Sequence, residues 1–233
     1  VPFDEAYGGL GGKSTDLMIV MEQFGKGLVV EPYLPTVILA GGLISKLGSE
    51  EQKNSIIPEI ISGNIRCAFA YAEPQSRFDL NDVKTSAVLN GDDYVLNGFK
   101  SVVFGAGMAS HLIISARTEG EQRSESGITL FIVDTKSEGL TLQNYPTIDE
   151  YRASEVIIEN LKVSKDNVLG KVNMAYDAIE EIVDISTIAA CSEAVGILQV
   201  LKDSTTEYCK NRKQFGQSIA KNQVIQHLSL IHI

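Results

Sequence analysis

Apolar residues recur along the chain with two different periods, and the change of period divides it into a helical zone over about 13–65, a strand-rich zone over about 66–165 and a second helical zone over about 173–230. In the first zone Leu17, Met21, Phe24 and Leu28 fall at the spacing of one helix face, which predicts a helix starting near Ser14. Gly25 and Gly27 weaken its end. A second helix is predicted from Thr36 to Leu47, stopped by Gly48. Ser49-Glu50-Glu51-Gln52 then has the spacing of a capping box, in which the first and fourth side chains satisfy each other's backbone amides. It opens a helix carrying Ile56, Ile57, Ile60 and Ile61 to Gly63.

The middle zone switches to short β-branched runs, Asp92–Gly98, His111–Ser115, Ile128–Val133 and Glu155–Ile158, separated by Gly, Asn and Asp turns. That spacing predicts a small antiparallel barrel or sandwich, with residues 119–126 as an exposed loop. In the last zone Ile179, Ile182, Val183, Ser186, Ala189, Ala190, Glu193, Ile197, Val200 and Leu201 keep helical period to about Tyr208. A helix so long and two-faced suits an oligomer core, and Ala189, Ala190, Ala194 and Gly196 permit close helix approach. The expected fold class is α+β and multidomain: an N-terminal α domain over 1–65, a middle β domain over 66–165 and the start of a C-terminal α domain over 166–233.

Composition narrows the function. The chain has 233 residues and a formal charge of −10, which argues against a nucleic-acid binder, since that needs clustered Lys and Arg. No apolar run approaches the roughly 18 residues of a membrane span, and the expected location is cytoplasmic. Cys67, Cys191 and Cys209 are odd in number and widely spaced, which predicts buried reduced thiols and neither a disulfide framework nor a metal site. Gly8-Gly9-Leu10-Gly11-Gly12 lacks the preceding strand and trailing Lys-Ser/Thr of a phosphate loop and reads as a turn. His111, inside a strand run, reads as structural.

The chemistry-bearing stretch is Cys67–Asp79, where an apolar run breaks into a Glu73-Pro74 turn with polar and basic residues beyond it. A strand ending so presents backbone amides to a ligand. Together with Pro2–Gly12 upstream and Arg212-Lys213-Gln214-Phe215-Gly216 downstream, it resembles the acyl-CoA dehydrogenase family, and its detail is similar to the pimeloyl-CoA dehydrogenase small-subunit type. The resemblance covers nearly the whole chain. It implies a bacterial FAD enzyme that desaturates acyl-CoA thioesters at Cα–Cβ, in fatty or dicarboxylic acid catabolism, and passes electrons to an electron-transfer flavoprotein. It also implies a homo- or hetero-oligomer with a homologous subunit, and that both ends of the chain are cut, the closing Leu228–Ile233 departing from the polar helical pattern.

The resemblance further assigns residues. Phe69, Tyr71 and Ala72 would meet the flavin ring through backbone groups, with Ala72 where relatives carry Thr. Val102, Val103 and Phe104 follow, Val102 and Phe104 replacing a Trp and a Thr; an ordinary apolar strand is the alternative there. Arg212, with its planar fork, would take the flavin pyrophosphate of a neighbouring subunit, followed by Gln214 and Phe215, and by Asn222 and Gln223 on the next helix. Acyl-CoA would meet Phe78, Asp184 and Thr187. Ser186 stands where some branches carry the catalytic Glu, so no base falls within the chain and one is expected beyond its C-terminus. Three readings stay open: the dehydrogenase or one subunit of it, a non-catalytic subunit that completes a partner's flavin site, and an oxidase or flavin monooxygenase on the same fold.

Overall fold

The computed structural model describes residues 1–231, with the side chains of Leu230 and Ile231 left aside; His232 and Ile233 of the divergent tail lie outside the described residues. The chain packs as two compact units, one of Val1–Leu17 with Val30–Ala189 and one of Met18–Val29 with Ala190–Ile233. Helices α1 (Ser14–Gly27) and α4 (Tyr176–Asn211) contribute to both.

In the first unit a π-helical segment, Leu34–Ala40, runs straight into α2 (Gly41–Leu47), and α3 (Glu50–Ile61) follows. The capping box forms as its spacing requires: Gln52 N donates to Ser49 Oγ at 3.2 Å and Ser49 N to Gln52 Oε1 at 3.0 Å. Leu43, Ile44, Ile57 and Ile60 are buried with Phe69, Ile113, Leu130, Ile179 and Ile182 in one core, which joins the helices to one face of the sheet. Two positions on the predicted faces of α1 and α3 are exposed instead. Leu28 lies past the end of α1 at φ 48 and is 70% exposed, because Gly25 and Gly27 end the helix first, and Ile61 is 42% exposed at the last turn of α3.

The sheet holds β1 (Cys67–Ala70), β2 (Ser86–Asn90), β3 (Asp93–Phe104), β4 (His111–Arg117), β5 (Ile128–Asp134), β6 (Leu140–Pro146), β7 (Arg152–Ser164) and β8 (Val168–Leu169). Its order is β6-β7-β3-β2-β4-β5-β8, with β1 also on β4. The sheet is mixed rather than antiparallel throughout: β1 runs parallel to β4 over Cys67–Ala70, and β2 meets β4 in parallel at Ser86 and Arg117. The 119–126 loop is exposed as expected, and is tied down by Arg117, whose guanidinium donates to the carbonyls of Asn81, Gln122, Ser124 and Ser126.

In the second unit α1 crosses α4 at two glycines. A Cβ on Gly25 would lie 2.0 Å from Glu193 O, and one on Gly196 would lie 2.0 Å from Glu22 O. A hairpin of β9 (Lys213–Gln214) and β10 (Gln217–Ser218) precedes α5 (Gln223–Ile231). Of the cysteines only Cys67 is buried; Cys191 is exposed on α4 and Cys209 half-buried, so the expectation of three buried thiols is corrected. Burial pushes the Cys67 thiol up to about 12.

Candidate functional site

Strand β1 ends at Ala70, and the chain then turns through Tyr71, Ala72 and Glu73 beside β3. Two residues of β3 hold this strand end. Ser101 N donates to Ala72 O at 2.9 Å, and Lys100 Nζ reaches Tyr71 O at 3.4 Å. Phe69 is buried, and its ring stacks on the half-buried Tyr71 ring with centroids 4.9 Å apart.

Lys100 is fully buried, and its ammonium donates to Glu73 Oε1 at 2.7 Å and to Ser115 Oγ at 3.0 Å. The Glu73 carboxylate also accepts from Lys84 N at 2.8 Å, Thr85 N at 3.1 Å and Gln75 Nε2 at 2.8 Å. Burial works against the charged carboxylate, but the adjacent ammonium and these donors hold Glu73 below the ordinary carboxylate range. Burial pushes Lys100 down to about 8 against the pull of Glu73, so the pair is ionised at neutral pH. In the sequence Glu73 reads as a turn residue and Lys100 as one more strand residue. The signal was a lysine in phase with Tyr94 and Leu96 on the inward face of a strand.

Beyond Lys100 the ladder between β3 and β7 skips a residue, and Val102 takes φ 53. A β-branched residue at positive φ is a genuine backbone outlier, of the kind that persists where the surroundings over-determine it. Val103 is buried, while Val102 and Phe104 are 45% and 43% exposed. They form an apolar shelf ending at Gly105, where φ is 75 and a Cβ would lie 3.1 Å from Pro35. The segment stays within β3 to Phe104, an apolar strand interrupted by a bulge. Phe78 is fully exposed in the turn after Glu73.

Asp184 and Thr187 are exposed one turn apart on α4, with Thr187 Oγ1 donating to Val183 O at 2.8 Å; Ser186 beside them is half-buried. In the second unit Phe215 (φ 52) and Gly216 (φ 79) form the turn between Gln214 and Gln217, and the positive φ at both is the signature of a type I′ hairpin. Arg212 is exposed, and its guanidinium makes no ion pair among the described residues. Asn222 precedes α5 rather than lying on it, its carbonyl accepting from Ile225 N at 3.0 Å, and Gln223 is the first residue of that helix. Thus Phe69, Tyr71, Ala72, Val102, Val103 and Phe104 are gathered within the first unit, and Arg212, Gln214, Phe215, Asn222 and Gln223 follow one another in the second.

Two sizeable clefts in the first unit take no side chain from this set. One of about 870 Å³ is lined by Ser49, Gln52, His111, Asp134, Asp166 and Lys171, the other of about 590 Å³ by Phe3, Leu17, Ile38 and Ile182 among others. Neither cleft has a buried charged side chain or a strained non-glycine backbone in its lining.

The arrangement fits FAD in kind. An open apolar shelf with a locked, irregular backbone suits a flat heteroaromatic ring. The exposed guanidinium fork of Arg212 suits a pyrophosphate. No described helix is long and apolar enough to cross a membrane. The N-terminal, middle and C-terminal domain profiles of acyl-CoA dehydrogenases match residues 1–64, 68–161 and 176–230. The caffeyl-CoA reductase-Etf complex subunit CarC of Acetobacterium woodii is 34% identical over 97% of this chain and 60% of its own length. The mitochondrial short-chain specific acyl-CoA dehydrogenase of Homo sapiens is 32% identical over 93% of this chain and 54% of its own. The structure of butyryl-CoA dehydrogenase from Megasphaera elsdenii superposes with a TM-score of 0.89 at 28% identity, covering 97% of this chain and 61% of that one. The chain therefore spans about 60% of the length of such relatives. Members of the family are FAD-dependent oxidoreductases acting on CH–CH bonds. With all three domain profiles in order along it and this fold beneath them, the chain belongs to the acyl-CoA dehydrogenase family.

Proposed function

We propose that this chain serves FAD-dependent oxidation of an acyl-CoA thioester to the enoyl thioester, as a dehydrogenase or as one subunit of one. FAD, when bound, supplies the two-electron acceptor for the hydride that leaves Cβ. The chain's own residues bind and orient. The backbone of Phe69, Tyr71 and Ala72 and the Val102–Phe104 shelf hold the ring. Arg212 holds the pyrophosphate, with Gln214, Phe215, Asn222 and Gln223 along the nucleotide. Phe78, Asp184 and Thr187 face acyl-CoA. The base that takes the Cα proton lies outside residues 1–233, since Ser186 offers only a hydroxyl. The three-part division at 65/66 and 165/166, a cytoplasmic location, an electron-transfer flavoprotein as acceptor and a dicarboxylic substrate of the pimeloyl type belong to the same proposal.

The observation that carries it is the bulge at Val102, locked by Ser101 N to Ala72 O at 2.9 Å beside an exposed apolar shelf. FAD titration with fluorescence quenching tests it. Arg212→Ala is expected to weaken binding by about 1.5–3 kcal/mol, or roughly 10- to 150-fold, and Arg212→Lys to restore part, because a point charge lacks the fork. A wild-type chain that takes up no FAD at micromolar concentration sinks the proposal. One feature favours the second reading, a subunit that completes a partner's flavin site. Ala72, Phe78, Val102 and Phe104 offer no side-chain hydrogen bond to ring or thioester, whereas Arg212 stands exposed and makes no ion pair among the described residues. That reading predicts acyl-CoA turnover only after co-expression with a homologous subunit.

A further inference from the structure

We propose that the buried Lys100–Glu73 pair is the positioning device of the ring site, a role that rests on the flavoenzyme reading above. An ammonium has three hydrogens, and Lys100 has three acceptors within reach: Glu73 Oε1 at 2.7 Å, Ser115 Oγ at 3.0 Å and Tyr71 O at 3.4 Å. Glu73 in turn receives Lys84 N, Thr85 N and Gln75 Nε2, and Glu73 N donates to Ser76 Oγ at 3.0 Å. The pair thus joins β3, β4 and the chain after β1 through groups that are all engaged.

Stability alone does not account for a charged pair here, because a buried ion pair is often no more stabilising than well-packed apolar residues of similar volume. What apolar residues cannot do is grip a carbonyl. Lys100 and Ser101, adjacent in β3, hold the carbonyls of Tyr71 and Ala72, adjacent after β1. Lys100 and Val103 both face inward, three residues apart, whereas strand alternation needs an even separation. The extra residue is absorbed by the bulge, and Val102 takes up the positive φ. Fixing Lys100 to Glu73 therefore fixes where the irregular backbone falls, and with it the shelf on which the ring lies.

The test uses the full chain carrying Glu73→Gln with Lys100→Met, which strands no buried charge, and Ile57→Ala as a core variant on α3, outside the two held segments. Amide hydrogen exchange is measured without flavin, then FAD affinity and the visible spectrum of bound FAD. In the double variant, exchange at Tyr71–Glu73 and Ser101–Phe104 is expected to rise at least about tenfold with β5 unchanged. FAD affinity is expected to fall about tenfold or more, with a displaced flavin band, whereas Ile57→Ala lowers stability and leaves all three readouts alone. Unchanged exchange in the two segments overturns the inference, as does raised exchange with FAD affinity within about twofold of wild type. If the double variant does not fold, the same readouts are taken on Ser115→Ala, which removes one ammonium partner, and there unchanged exchange and affinity overturn the inference. A wild type without FAD sinks the flavoenzyme reading itself, and the exchange result then decides the clamp on its own.

Discussion

Val102 and Glu73 each carry a consequence that is read at a single side chain. A non-glycine residue in the left-handed region costs about 1–2 kcal/mol, and Val102 bears it at φ 53 with no buried side chain to compensate. Glycine relieves that cost and loses about 0.5–1 kcal/mol in unfolded-state entropy, so Val102→Gly is expected to leave stability unchanged or raise it by up to about 1 kcal/mol in urea unfolding. A loss above about 1 kcal/mol is incompatible with a strained Val102. Glu73 sits below its ordinary 4.5, so the folded state binds fewer protons than the unfolded one there. Its stabilisation is fully present above about 4.5 and is lost as pH falls through the lower folded value. Lys100 has the same sign of linkage but as a penalty: folded near 8 against 10.5 unfolded, its burial cost is complete below about 8 and fades as pH rises toward 10.5. In denaturant unfolding from pH 3 to 6, Glu73→Gln is therefore expected to flatten the acid limb, while costing about 3–5 kcal/mol at neutral pH because the ammonium loses its partner. A parallel acid limb in the variant counts against the ion pair. None of this was legible in a Glu-Pro turn and a lone strand lysine, since two charges 27 positions apart announce a pair only once the strands are placed.

At the scale of elements, local rules carried most of what the chain disclosed. The Ser49–Gln52 box and the burial of Ile56, Ile57 and Ile60 follow from spacing alone, because capping and helix period depend on neighbours within one turn. The long helix was equally plain, though Val200 and Leu201 of its predicted face are 41% and 57% exposed. The parallel pairing of β1 with β4 was not legible, since nothing in either run specifies a partner across more than forty residues. The reciprocal glycines of α1 and α4 lie between these cases. Small residues in α4 announced a close approach, but only the structure pairs Gly196 with Glu22 and Gly25 with Glu193. Gly196→Ala is expected to cost about 1–3 kcal/mol, despite alanine's better helix propensity, because backbone must move to admit the methyl. Thermal unfolding decides it, and a stabilised variant shows that the crossing is looser than 2.0 Å implies.

On the scale of the whole molecule, the proposed cofactor contacts divide between two units: shelf and clamp in one, the Arg212 hairpin in the other. The sequence disclosed both groups only through family resemblance, because an apolar Val-Val-Phe run and an exposed Arg carry no ligand signal by themselves. Their chemical inequality bears on how flavin is held. The shelf supplies surface and backbone but no charge, while Arg212 supplies an exposed guanidinium fork. If the arginine serves the flavin of a neighbouring copy, a lone chain has only half of the contacts. Binding then links to association by mass action. At fixed free FAD, fractional occupancy is expected to climb as chain concentration rises from about 0.1 to 50 µM, in step with the size change seen by light scattering. Arg212→Ala should associate as the wild type does and lose that climb, because the copies still meet while the contact across them is gone. Occupancy that stays constant over the same range, in a chain whose size does change, places both groups of contacts on one flavin within one chain.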